Sequence, residues 1–166
     1  MLYLITGPAG VGKSTISKKI AELSNKSVLL EGDEFYGHIV NPYISAWKEG
    51  NHLDIFWKEV ENSIKLYLDN GYDVIFNYII TDKDYLRLKE IFKDYPTKFV
   101  LLLVDEKTIM ERDKLRDVDC RMNERCIILL NSFLKKDYKE DNKLYTTDLT
   151  VEETVEEILN NNKYII

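Results

Sequence analysis

The sequence predicts an α/β fold in which a five-stranded parallel sheet carries helices on both faces. Three observations lead there. Apolar runs of strand length alternate with segments of helical period along the whole chain. A glycine-rich loop, GPAGVGKST at 7–15, joins the first strand to the first helix. No internal repeat, Pro/Gly-rich linker or low-complexity block divides the 166 residues, so a single domain over 1–166 is expected.

Taken in order, Leu2 to Ile5 is the first strand, and Ile16, Ile20 and Leu23 give the segment after the loop its helical spacing. SVLLEGD reads as the second strand, ending in Glu31-Gly32-Asp33. EFYGHIV begins as helix and stops before Pro42, because the residue ahead of a proline is pushed out of the α region. An aromatic-rich connection, PYISAWKEGN, leads to a long helix from about Asn51. Leu53, Phe56, Trp57, Val60, Ile64, Tyr67 and Leu68 share one face of it, and Asn70-Gly71 stops it. Asp73 to Ile80 is the third strand; Thr81 or Asp82 caps the next helix, which carries Tyr85, Leu88, Ile91 and Phe92 and ends by Pro96. Lys98 to Val104, the most hydrophobic strand, is expected to be covered on both faces. Asp105 caps a helix to about Leu115, and another helix runs from about Met122 to Asp137. LYTTDL supplies a fifth strand, and Thr150-Val-Glu-Glu153 is a capping box opening the last helix.

Composition excludes several classes of function. A formal net charge of −6 argues against general affinity for nucleic acid or anionic membranes, which require a basic face. The longest wholly apolar run, FVLLLV at 99–104, is too short to span a bilayer, and no charged-then-apolar signal precedes the first strand, so a cytoplasmic protein is expected. Cys120 and Cys126 match no CxxC or zinc spacing and read as ordinary reduced thiols.

The loop carries the chemistry. GPAGVGKS matches the phosphate-binding pattern in full and lies between a strand and a helix, the context in which the pattern has meaning. Gly7, Gly10 and Gly12 permit backbone dihedrals that a Cβ forbids, so the N–H groups from Gly7 through Ala9, Gly10, Val11 and Gly12 can turn inward as a cradle. Lys13 reaches the outer phosphates, the Ser14 hydroxyl is a ligand for Mg²⁺, and Thr15 lies in the first helical turn, where free N–H groups and the helix dipole favour an anion.

With GPAGVGKST, LLEGDEF and RDKLRDVDCRMNER on the page, the chain resembles the small P-loop kinases that phosphorylate metabolites or antibiotics. Shikimate kinase, gluconate kinase, adenylylsulfate kinase, chloramphenicol phosphotransferase and the zeta-toxin kinases belong to that group. The resemblance covers nearly the whole chain in element order, and three motifs carry it. It implies the P-loop nucleoside-triphosphate hydrolase fold, ATP with Mg²⁺ as cofactors, and phosphoryl transfer to a hydroxyl on a small-molecule acceptor. It implies Asp33 as the base that handles that hydroxyl; by residue chemistry alone Asp33 equally serves to cap a helix starting near Glu34. Glu31 is the weaker candidate.

Four of the five arginines, Arg112, Arg116, Arg121 and Arg125, fall within fourteen residues. The resemblance makes 112–125 an arginine-bearing lid, with Arg112 on adenine and Arg116 and Arg125 on phosphate; the alternative is surface pairing with Asp113, Asp117, Asp119 and Glu124. One departure concerns the metal. The third strand offers Asn77 where an acid is expected, and Asp105, which follows VLLLV, reads more simply as a cap. Phosphate oxygens, water and Asp33 are then left to complete the shell around a cation on Ser14.

Asp33 to Lys65 contains no arginine but does contain Phe35, Tyr36, His38, Tyr43, Trp47, His52, Phe56 and Trp57. That favours an uncharged acceptor with hydroxyl and ring or apolar surface, such as a sugar, nucleoside or antibiotic, although Lys48, Lys58 or Arg87 could serve an anion. Phe56 and Trp57 also suit core packing, and the two histidines suit surface or cap positions. Two readings follow: an ATP-dependent small-molecule kinase, or an ATP-binding switch or sensor with little turnover. A GTPase is disfavoured because no NKxD or DxxG motif is present.

Overall fold

A computed structural model describes residues 1–118, 121–136 and 138–166. Asp119, Cys120 and Asp137, which enter the expectations above, lie outside the described residues. Five strands, β1 (Leu2–Thr6), β2 (Ser27–Glu31), β3 (Asp73–Asn77), β4 (Thr97–Leu103) and β5 (Lys143–Tyr145), form one sheet in the order β2-β3-β1-β4-β5. Every ladder is parallel. The helices are α1 (Lys13–Leu23), α2 (Gly32–Gly37), α3 (Leu53–Asp69), α4 (Asp82–Ile91), α5 (Glu106–Lys114), α6 (Glu124–Leu134) and α7 (Val151–Asn160). They cover both faces of the sheet, the arrangement expected when β and α segments alternate.

Central position is written into the strands. β1 and β4 are buried along their whole length, whereas β2 and β5 at the edges are partly exposed. Register then decides what meets at the carboxyl ends of the strands. Ile5 and Glu31 both pair with Asn77, and Thr6 pairs with Leu101. The acid that ends β2, the amide that ends β3 and the start of the glycine-rich loop therefore lie side by side at one end of the sheet.

The helices end as their sequences require. α3 buries Phe56, Trp57, Val60, Ile64 and Leu68. It closes on Gly71, whose φ is +75°, with the Gly71 amide donating to Leu68 O at 3.0 Å and the Tyr72 amide to Tyr67 O at 3.0 Å, a Schellman turn. Thr81 with Asp84 and Thr150 with Glu153 form capping boxes, and Asp105 caps α5 by accepting from the Thr108 amide.

Several boundaries differ from expectation, the fifth strand among them, which covers Lys143–Tyr145 and stops before the TTDL expected to continue it. β3 stops at Asn77 instead of Ile80, because β1 also ends here: the Ile80 amide turns to the Thr6 hydroxyl at 2.9 Å, and Tyr78 leaves the sheet. β2 stops at Glu31, so Gly32 and Asp33 already belong to the first turn of α2. α6 starts at Glu124 rather than Met122 and ends at Leu134; the Met122 and Asn123 amides point instead to the Asp113 carboxylate, and Asn123 has a φ of +50°.

Among the described residues no helix is long and apolar enough to cross a membrane. Cys126 is buried in the core, its thiol donating to Asn123 O at 2.8 Å.

Candidate active site

The loop between β1 and α1 folds back over the end of the sheet. Gly7 has a φ of +143°, and a Cβ there would stand 2.4 Å from the Leu102 carbonyl oxygen, so the close approach of the loop to β4 admits only glycine. Gly10 and Gly12 also have positive φ, and together the three turns set the cradle. Lys13 curls into it and donates to Gly7 O and Pro8 O, both at 3.0 Å. Burial lowers its ammonium pKa to about 8; Asp33 and Glu31 pull the value up and Arg116 pulls it down. Those four side chains thus share one electrostatic neighbourhood.

A cleft of about 910 Å³ opens beside the loop. It is lined by Ala9, Gly10, Val11, Gly12, Lys13, Ser14 and Thr15, by Asp33, and by Arg112, Arg116 and Arg125. Gly7 forms the loop's inner wall, contributing the carbonyl that holds Lys13. The remaining loop residues, Asp33, Arg112, Arg116 and Arg125 all border this one space, whereas Glu31 lines a separate, adjoining hollow with Ser14 and Thr15. Arg121 borders neither: its Nε donates to Arg116 O at 3.0 Å and braces the backbone.

Asp33 does not cap a helix. Glu31 occupies the cap position of α2, Asp33 stands in the first turn, and its side chain faces the cleft. Negative charge in that turn is favoured by the helix dipole. Beneath it, Gly32 lies against Tyr78, where a Cβ would fall 2.4 Å from the ring's Cδ2. Tyr78 lines the cleft, and burial, reinforced by Asp33, raises its hydroxyl pKa far above the ordinary tyrosine value, so it stays a neutral donor.

Ser14 donates its hydroxyl to Glu31 Oε2 at 2.9 Å. A hydroxyl and a carboxylate in contact beside a phosphate cradle suit a hard cation such as Mg²⁺, which prefers oxygen ligands and keeps several waters. Among the described residues no group of three or more His, Cys, Asp or Glu side chains could hold a metal alone, so a cation here would need further oxygen ligands from a bound phosphate or water. From the sequence Glu31 is the weaker candidate for the acceptor base, and its contact with Ser14, seventeen positions away, is not expected there. The available signal was its place at the carboxyl end of a strand adjacent to β3. Asn77, by contrast, is buried with its amide nitrogen unpartnered and borders the same cleft.

The arginines are held differently from one another. Arg112 reaches across to Val11 O at 2.8 Å and to Thr146 O at 3.0 Å, tying α5 to the loop and to the segment after β5. Arg116 pairs with Asp113 at 3.3 Å. Asp113, itself buried, also accepts the amides of Met122 and Asn123. Burial pushes its carboxyl pKa up, but those amides and Arg116 outweigh burial and hold it below the usual carboxylate range. Nothing in the sequence marked Asp113 apart from its neighbours.

Opposite the loop, the cleft is walled by Tyr36, Tyr43, Trp47 and Trp57 together with Asp84. Phe56 is fully buried against Trp57 and serves the core. His38 pairs with Glu59 at 2.8 Å, and His52 stands at the start of α3 with its ring on Pro42 O, so neither histidine enters the cleft. Arg87 does not line it either; it packs on Trp57 from behind and pairs with Glu61.

Solved structures share this architecture. A gluconokinase from Sinorhizobium meliloti 1021 superposes with a TM-score of 0.69 over 95% of this chain and 88% of its own, at 18% identity. A tunicamycin resistance protein from Deinococcus radiodurans gives 0.66 over 95% and 92%, at 18% identity. A thymidylate kinase from Candida albicans gives 0.67 over 99% and 94%, at 16% identity. No curated protein is significantly similar in sequence. At these identities the likeness establishes the P-loop α/β fold. The AAA domain family (AAA_33) matches residues 2–125, a span that includes the phosphate loop, the acidic turn and the arginine segment; the chain belongs to that family.

Proposed function

We propose that the chain is an ATP-dependent small-molecule kinase that transfers the γ-phosphoryl group to a hydroxyl of an uncharged acceptor. The observation that carries this reading is that the phosphate loop, Asp33 and an aromatic wall line one cleft. The loop amides and Lys13 hold the triphosphate. Ser14 and Glu31 are the residues that would hold Mg²⁺, which when bound neutralises charge on the phosphate oxygens. Asp33 orients the acceptor hydroxyl and takes its proton as the acceptor oxygen bonds to the γ-phosphorus. The bond from that phosphorus to the β-phosphate oxygen breaks, and ADP leaves with the electron pair.

Arg116 and Arg125 offset charge on the transferring group, and Arg112 borders the base site, so 112–125 acts as a lid within one domain over 1–166. Tyr36, Tyr43, Trp47 and Trp57 offer ring faces to a sugar, nucleoside or antibiotic, and among the described residues the lysines and arginines lining the cleft are Lys13, Arg112, Arg116 and Arg125, all assigned to the nucleotide. The tunicamycin resistance protein suits such an acceptor, whereas the names of the gluconokinase and the thymidylate kinase point to anionic ones, so the uncharged acceptor rests on the cleft lining and not on the neighbours.

A second reading, an ATP-binding switch with little turnover, draws on Asn77, a neutral amide at the strand end where an acid would serve hydrolysis. ATP consumption measured against a panel of sugars, nucleosides, antibiotics and acidic metabolites separates the two. Strong stimulation by one class is expected. Asp33→Asn should then abolish transfer while leaving ATP affinity within about threefold. Tight ATP binding with no stimulation by any acceptor would favour the switch.

A further inference from the structure

Two of the three arginines bordering the cleft are tied to protein oxygens: Arg112 to the Val11 and Thr146 carbonyls, Arg116 to the Asp113 carboxylate. Arg125 is different. Among the described residues its guanidinium makes neither a hydrogen bond nor an ion pair, and it lies over the indole of Trp47 with its central carbon 3.9 Å from the ring centroid. A π contact occupies no oxygen acceptor, so all five N–H donors remain available to an oxyanion in the cleft.

Trp47 has no packing role that accounts for it. It is 63% exposed, a large indole left in solvent at the mouth of the cleft. Its backbone is nevertheless braced. The hydroxyl of Tyr36, which is buried, donates to Ile44 O at 2.6 Å and accepts from the His52 amide at 3.3 Å, pinning both ends of the connection that carries Trp47. Tyr43 packs edge-on against Tyr36. An exposed ring on a connection held at both ends therefore meets an unpaired cation across the cleft.

We infer that Trp47 is a positioning residue: it holds Arg125 over the cleft so that the guanidinium meets the terminal phosphate of a bound nucleoside triphosphate. The inference rests on the kinase reading above. Its signature is selectivity for the third phosphate. Losing the indole releases Arg125 to rotamers directed into solvent, which weakens ATP binding and leaves ADP binding as it was.

The test is a double-mutant cycle read by titration calorimetry with ATP·Mg and ADP·Mg on the full chain. Trp47→Ala should weaken ATP about three- to fivefold, the scale of an exposed cation–π contact, with ADP unchanged. Trp47→Tyr, which keeps a ring face, should restore most of the loss. Arg125→Gln should show an equal or larger ATP-specific loss, and adding Trp47→Ala to it should cost nothing more. Equal losses for ATP and ADP, no loss at all, or additive losses in the double variant would overturn the assignment. Failure of the unmodified chain to bind either nucleotide is a distinct result and removes the kinase reading together with the inference.

Discussion

Replacing Asp113 by asparagine tests whether one buried carboxylate organises the arginine segment. Its Oδ2 accepts from Asn123 N at 2.8 Å and Met122 N at 3.0 Å, while its Oδ1 faces Met122 N at 3.1 Å and Arg116 Nη1 at 3.3 Å. All these partners are donors. Asparagine is the same size but replaces one oxygen with a donor, so whichever way the amide turns, N–H opposes N–H. Loss of one charge-assisted hydrogen bond and the stranding of a buried donor together should cost about 2–3 kcal/mol. Opening of the segment between α5 and α6 should become about thirty- to a hundred-and-sixtyfold more frequent. Hydrogen exchange followed by mass spectrometry reads this directly as faster exchange at Met122 and Asn123, with α1 and α7 unaffected. The carboxyl pKa is held low in the fold, so its contribution is complete above the unfolded value of about 3.9 and disappears as the pH falls through the lower folded value. Acid should therefore bring the two proteins together. Unchanged exchange at those amides at neutral pH would refute the reasoning.

Other perturbations follow from the same geometry. Lys13 titrates near 8 when its only partners are carbonyls, and a bound triphosphate favours its charged form; ATP affinity should be flat below pH 8 and fall about tenfold per unit above it, with proton uptake in calorimetry. A flat profile up to about pH 9.5 would show that the ammonium does not touch the nucleotide. Gly32→Ala places a methyl group 2.4 Å from the Tyr78 ring and should cost about 1–3 kcal/mol in urea unfolding; an unchanged midpoint would mean that the ring moves freely. Lys98→Met removes the donor at 2.8 Å from both Ile158 O and Leu159 O at the end of α7 and should destabilise by about 1–3 kcal/mol, seen as a drop in Tm.

Most of the fold was legible because strand and helix periods differ and the caps use few residue types. Thr81, Asp105 and Thr150 behave as their side chains dictate. Boundaries failed where an apolar run outlasts its strand. DVIFNYII does not reveal that β3 ends at Asn77, since that depends on where β1 ends beside it. In the site, the strand–loop–helix course of the phosphate loop and its positive-φ glycines were readable, because a contiguous motif sets them, although the close approach of Gly7 to Leu102 was not. Nor was the pairing of Ser14 with Glu31, as it requires the strand order. Asp113 was legible only as one of several arginine partners, a pairing that holds for Arg116; its other partners are backbone amides nine and ten residues ahead, and no side-chain pattern reports them. Lys98 looked like an ordinary polar strand residue, although it is buried at 2% exposure and holds the end of a helix.

The two bonds from Lys13 to Gly7 O and Pro8 O give the lysine a second job, as a strut across the arch of the glycine-rich loop. In the kinase proposed above, nucleotide entry would exchange those carbonyls for phosphate oxygens on a scaffold already propped open, with little backbone rearrangement. The same fact changes how a disabled protein must be interpreted. Truncating Lys13 removes the strut along with the charge, and the arch is then free to sag even before any ligand arrives. Inactivity of such a variant would mix lost shape with lost electrostatics, and an uncharged residue long enough to span the arch is the control that separates them.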